Sequence, residues 1–170
     1  MNFVYKLLLT INAISWMGII YAIKEEWTIG KLSAWSFGLI LLMIPVVLSI
    51  ISLLLTKKFG KETLSDCVEI SLADGEFLPV YLGYFFVSVG VNENLTMLIV
   101  FVIVFIFTFL SQTQYFNPIF LLFGYHYYHI TTKSGTKIFV IKKGNVARKA
   151  SEVSIENLRR INDTTFIERR

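Results

Sequence analysis

Charge is what this chain has least of. Only 16% of its 170 residues are Asp, Glu, Lys or Arg, well below the roughly 25% of an ordinary soluble domain. A chain this short has much surface for its volume and needs polar groups to cover it in water. The scarcity is also uneven. No charged residue lies between Lys6 and Lys24, Lys31 and Lys57, Glu76 and Glu93, or Glu93 and Lys133. Cysteine is nearly absent as well: Cys67 stands alone, which excludes an internal disulfide and cannot by itself hold a metal. No glycine-rich phosphate loop, serine nucleophile elbow or paired-carboxylate hydrolase pattern occurs. Cys67 follows Asp66 but has no identifiable base partner, so it reads as inert. The expectation is a protein that is not an enzyme and that needs no cofactor.

What fills the charge-free gaps is hydrocarbon. Residues 3–23, 32–55, 77–91 and 95–110 form four apolar segments, each read as a membrane span. The first could pass for a signal peptide, but it is long and lacks a small-x-small cleavage site, so a retained helix is expected. Pro45 predicts a tilt or kink in the second, and Pro79 suits the first turn of the third. The third is the short one, about 22 Å as a helix. With four spans, fourteen Lys or Arg fall on one side and two on the other, which predicts both termini in the cytoplasm. The expected fold is an integral membrane four-helix transmembrane bundle (1–110, with a cytoplasmic loop 56–76) followed by a small cytoplasmic α+β domain (111–170).

In the tail, Pro118 ends or bends the fourth helix, since it disfavours helical geometry at Asn117. Tyr125–Thr132 and Lys137–Ile141 flank Lys133–Ser134–Gly135–Thr136 and predict a β-hairpin. Ile155, Leu158 and Ile161 recur every three residues after Ser151, a plausible N-cap, and predict a helix; 164–168 reads as a last strand. His126 and His129 sit three apart, which on a strand points them to opposite faces, so no metal site is expected.

Two groups of residues stand out as candidate sites. Asn12, Ser15, Gly18 and Ala22 form a small and polar stripe on the first span, read as a helix-packing face that also serves oligomerisation. The Ser residues of the second span (Ser33, Ser36, Ser49, Ser52) leave a pore-forming effector as the alternative reading. The tail carries net charge +6 and the 56–76 loop −2. Attraction to anionic membrane lipids accounts for part of this pattern. Arg148, Lys149, Arg159 and Arg160 are the candidate docking surface for an acidic protein partner. Spaced rather than clustered cations give no expectation of direct nucleic-acid binding.

The layout of four short-looped spans, the Ser-Gln-Thr-Gln-Tyr-Phe-Asn-Pro join at 111–118 and the Tyr-His-Tyr-Tyr-His-Ile-Thr-Thr-Lys-Ser-Gly-Thr-Lys stretch at 125–137 resembles the KwaA family, the membrane subunits of the Kiwa anti-phage system. The resemblance implies a bacterial inner-membrane protein that forms a homo-oligomer. It also implies a cytosolic effector partner, KwaB, that binds nucleic acid.

Overall fold

A computed structural model of the chain describes residues 3–64, 67–111, 116–147 and 155–168. The chain divides into two compact units, one of helices (Phe3–Ser52 and Phe77–Asn117) and one built around a sheet (Leu53–Glu76 and Pro118–Arg170, with Met1–Asn2). Charge partitions with them. The helical unit holds six charged residues: Lys6, Lys24, Glu25, Glu26, Lys31 and Glu93.

The helical unit is organised around α1 (Phe3–Lys24), which packs on α3 (Leu78–Gly90) and α4 (Asn94–Ser111). Ile14, Met17 and Tyr21 of α1 close on Tyr84 and Met97, with Val87, Phe101, Val104 and Phe105 around them. Phe101 and Phe105 of α4 thus face the helix contact. Isolated polar groups tie the helices where water is excluded. The Ser88 hydroxyl lies 2.9 Å from the Met17 carbonyl of α1 and 2.6 Å from that of Tyr84, and Tyr84 Oη meets Thr108 Oγ1 at 3.1 Å. At the other end of α1, Tyr21 Oη donates to Asn94 Oδ1 (2.9 Å) and Lys24 Nζ donates to Asn92 Oδ1 (2.7 Å).

Helix α2 (Ala34–Leu55) is attached differently. Its only fully buried residues are Gly38, Pro45, Ser49 and Ser52, one narrow stripe of small side chains. Among the described residues, three helices, Phe3–Lys24, Ala34–Lys58 and Asn94–Ser111, are long and apolar enough to cross a membrane. The 13-residue α3 is about 20 Å long and falls short of a hydrocarbon core of about 30 Å. The expected bundle of four spanning helices is thus met by three of spanning length and one short helix. The α/β content is also larger than expected.

Among its described residues the sheet unit has six strands: β1 (Lys61–Leu64), β2 (Cys67–Leu72), β3 (Tyr125–Thr132), β4 (Lys137–Lys143), β5 (Ile155–Arg160) and β6 (Thr165–Glu168). Their order is β1-β5-β6-β4-β3-β2, with only β4 and β6 parallel. The two edge strands are therefore neighbours in sequence. In a flat sheet they would lie about 24 Å apart at ~4.8 Å per strand. From Leu64 to Cys67 the chain can span only about 11 Å. The sheet must roll up until its edges meet, giving a five-staved Greek-key barrel whose first stave is β1 and β2 together, the arrangement of OB-type barrels. Tyr128, Ile130, Ile138, Val140, Leu158 and Phe166 fill its core, with Cys67 and Ile70 packed against them. Cys67 is thus a packing residue on the barrel wall.

The predicted hairpin forms, with Tyr128 opposite Val140 and Ile130 opposite Ile138. Gly135, at φ 79°, makes the turn in a conformation that other residues rarely adopt. The last strand forms at Thr165–Glu168, and Asn162 Oδ1 sets the bend before it by accepting the Thr164 and Thr165 amides. The helix expected after Ser151 does not form over its described part. Ile155–Arg160 is a strand held between β1 and β6, and Ser151 lies outside the described residues. Pairing on both sides outweighs a three-residue apolar spacing, because strand preference is set by neighbours more than by local sequence.

Leu158 is fully buried between two strands, so Leu158→Ala should destabilise the barrel by about 2–5 kcal/mol, while the exposed Val146→Ala stays within about 0.5. Thermal unfolding in mild detergent checks both. Burial raises the Tyr128 hydroxyl pKa above its usual 10.0, and the bond from the Ala147 amide only partly opposes this. The neutral phenol is thus favoured in the folded state. Its contribution to stability is complete below pH 10.0 and is lost as pH climbs through the folded value. In an alkaline spectrophotometric titration, Tyr128→Phe should remove one late-ionising tyrosine.

Candidate functional site

The helical unit contains one polar junction drawn from three separate segments. Ser49 Oγ of α2 accepts the Asn12 amide of α1 at 2.9 Å and the Asn117 amide at 2.8 Å, and donates to its own helix at the Pro45 carbonyl (2.6 Å). Asn12, Ser49 and Asn117 are each at most 3% exposed, so the three form a dry network in an apolar setting. Asn12 Oδ1 is buried there with no hydrogen-bond partner. Amide and hydroxyl groups in hydrocarbon have no water to fall back on, so such a network fixes one arrangement of its helices. Asn117 immediately precedes Pro118, where the chain leaves the helical unit for α5 (Pro118–Leu122) and β3.

The sequence-derived packing stripe lies on contacts made within one chain. Asn12 bonds α2, a Cβ added at Gly18 would come within 3.7 Å of Phe101 on α4, and Ala22 is buried. Ser15 instead bonds its own helix at the Asn12 carbonyl. Ser15 and Gly18 are only half-buried. Broad apolar faces on α2 (Leu39, Met43, Val47, Ile50, Leu54) and α4 (Leu95, Ile99, Val102, Ile106) are exposed.

Of the four docking candidates, Arg148 and Lys149 lie outside the described residues. Arg159 Nη1 donates to the Phe59 carbonyl at 2.7 Å. Arg160 pairs with Asp163 (2.6 Å) and Glu62 (3.2 Å), and these carboxylates raise its already high pKa. The acidic loop and the basic tail thus meet in one barrel. His126 Nδ1 pairs with Asp74 Oδ2 at 2.6 Å, Asp74 Oδ1 accepts the Tyr127 amide at 2.7 Å, and His129 Nε2 faces Glu76 at 3.0 Å. Sequence distance hid these partners, which lie about fifty residues upstream of the histidines. Among the described residues, no three His, Cys, Asp or Glu side chains gather as metal ligands would.

Apolar helices, a barrel whose first stave comes from the loop between them, and a basic tail folded onto that loop describe an ordering that one family model spans almost end to end. The model of the anti-phage protein KwaA matches residues 5–167. The chain belongs to the KwaA family. Its role is therefore in anti-phage defence, and membership of the Kiwa system implies partners in a defence complex. No curated protein and no solved structure matches the chain. For this KwaA-family chain, three apolar helices of spanning length are consistent with membrane association.

Ser49→Ala removes the acceptor shared by both asparagine amides. It should lower stability in detergent by about 1–2 kcal/mol, more than Ser15→Ala, whose hydroxyl bonds only its own helix. A double-mutant cycle of Asn12→Ala with Ser49→Ala should show coupling of about 0.5 kcal/mol or more.

Proposed function

We propose that the chain is a non-enzymatic sensor and scaffold of the bacterial inner membrane, with both termini cytoplasmic, that holds a cytosolic effector resembling KwaB. The observation that carries this reading is the Asn12–Ser49–Asn117 network. A discrete polar latch joins two apolar helices to the residue from which the chain runs into the barrel. Latches of this kind have two arrangements, made or broken, and so can report a change among the helices. The barrel is tied to the helices a second time, because α3 and α4 are inserted between its paired strands β2 and β3. A disturbance of the helical hairpin is thereby delivered to two adjacent strands.

The sheet-containing unit carries thirteen Lys or Arg against nine Asp or Glu, and Arg160 pairs internally with Glu62 and Asp163. That leaves a basic surplus for an acidic partner surface or for anionic lipid headgroups. The exposed faces of α2 and α4 supply the surface for a homo-oligomer. The pore alternative has less support. Ser49 and Ser52 are fully buried with their hydroxyls bonded to backbone carbonyls, and Ser33 and Ser36 bond one another.

Purification of the tagged chain in gentle detergent should yield a homo-oligomer with a soluble protein bound, read by light scattering and mass spectrometry. Reversing Arg148 and Lys149 to Glu should reduce bound partner about tenfold or more while leaving membrane insertion intact. Undiminished partner at raised salt would overturn this docking surface. The purified oligomer should leave planar bilayers sealed, and a steady conductance would turn the reading toward the pore.

A further inference from the structure

Helices α1 and α2 run antiparallel in a constant register: Asn12 meets Ser49 and, eleven residues along each helix, Ile23 meets Gly38. At Gly38 the approach is close, since a Cβ there would lie 3.1 Å from Ile23 Cγ1. Next to this contact is a cavity of about 240 Å3 lined by Ile23, Glu26, Ala34, Trp35, Leu39 and Leu42, together with Gly38. Every lining residue but one is apolar or glycine. The exception, Glu26, stands where a carboxylate is disfavoured twice.

Glu26 follows the end of α1 at φ 51°, the one non-glycine residue at positive φ among those described. Its amide donates to the Ile23 carbonyl (3.2 Å) and the Trp27 amide to that of Ala22 (3.0 Å). These two bonds make a Schellman helix end, with Glu26 at the left-handed position that glycine normally takes. An anion there also faces the negative end of the helix dipole. Glu25, its neighbour, is paired with Lys24 at 3.2 Å, but Glu26 makes no ion pair among the described residues. A left-handed backbone and a carboxylate without an ion pair among the described residues thus coincide in the lining of an apolar cavity, an arrangement that points to a function for the side chain.

We infer that this cavity binds a membrane lipid with a primary ammonium headgroup, phosphatidylethanolamine, with the ammonium on Glu26 and hydrocarbon between Ile23, Leu39 and Leu42. Trp35, 83% exposed, lines the same cavity, and an indole there can attract the same cation. A primary ammonium can donate hydrogen bonds to Glu26, whereas the quaternary ammonium of phosphatidylcholine cannot. The inference rests on the reading that the helical unit lies in a bilayer.

The full-length protein is reconstituted into vesicles of phosphatidylcholine alone or with phosphatidylethanolamine bearing a tryptophan-quenching acyl chain, and retained lipid is also counted by native mass spectrometry. Wild type should be quenched and should carry phosphatidylethanolamine. Glu26→Gly should lose retention by about tenfold, the effect of one charge-assisted bond. Its Tm in phosphatidylcholine should rise, because glycine relieves the left-handed strain, so the loss cannot be blamed on unfolding. Glu26→Gln should lose retention without gaining Tm. Equal retention by wild type and Glu26→Gly overturns the site alone. Failure to enter vesicles of either composition overturns both the site and the bilayer reading.

Discussion

The link from Leu64 to Cys67 is too short to cross an open sheet, and much of the architecture follows from that. Because β1 pairs with β5 and β2 pairs with β3, the sheet closes on itself with β1 and β2 sharing one stave. Closure brings the loop between α2 and α3 into the same body as the tail. The acids of the loop then lie within reach of polar side chains of the tail: Glu62 with the Arg160 guanidinium, Asp74 with the His126 ring, Glu76 with the His129 ring. Opposite net charges separated in sequence become cohesion inside one barrel. The ions that cannot pair inside it become its outward charge.

Helix α1 plays the corresponding part among the helices, burying residues on most of its circumference, from Tyr5 and Leu9 to Tyr21 and Ala22. Its neighbours α2 and α4 are mostly exposed, as helices facing hydrocarbon or another subunit would be. Broad van der Waals packing, with the Ser88–Met17 and Tyr21–Asn94 hydrogen bonds, holds α3 and α4 to α1. The narrow small-residue stripe of α2 gives it less to pack with, so one serine with two asparagine donors carries more of its attachment. A helix held mainly by a few directional bonds is released by breaking those bonds, whereas a packed helix loosens only as its whole face separates.

The apolar segments were legible because bilayer-compatible sequence excludes charge over whole turns. The β-hairpin was legible because β-branched and aromatic residues flank a glycine turn. The strand at Ile155–Arg160 was not, since its apolar spacing fits a helix equally well and its two partner strands decide the matter. The barrel could not be seen because β1 and β2 pair with strands far along the chain. Among site residues, Asn12 and Ser49 were visible as polar groups in apolar helices. Asn117 was read only as the residue before a proline, and nothing local announces a partner 68 positions away. Glu26 carries no signal in the sequence, since its left-handed backbone shows only in three dimensions.

The placement of β2 and β3 also sets an order of events during synthesis. These strands pair side by side, yet 52 residues, Ala73–Gly124, lie between them and include the whole α3–α4 hairpin. At about 5–20 residues per second, β2 leaves the ribosome several seconds before its partner exists. In that interval the hairpin is made and must find its place before β3 can return to β2. A closed barrel is therefore a record that the hairpin was threaded, and a chain whose hairpin went astray would keep two unpaired strand edges exposed to quality control.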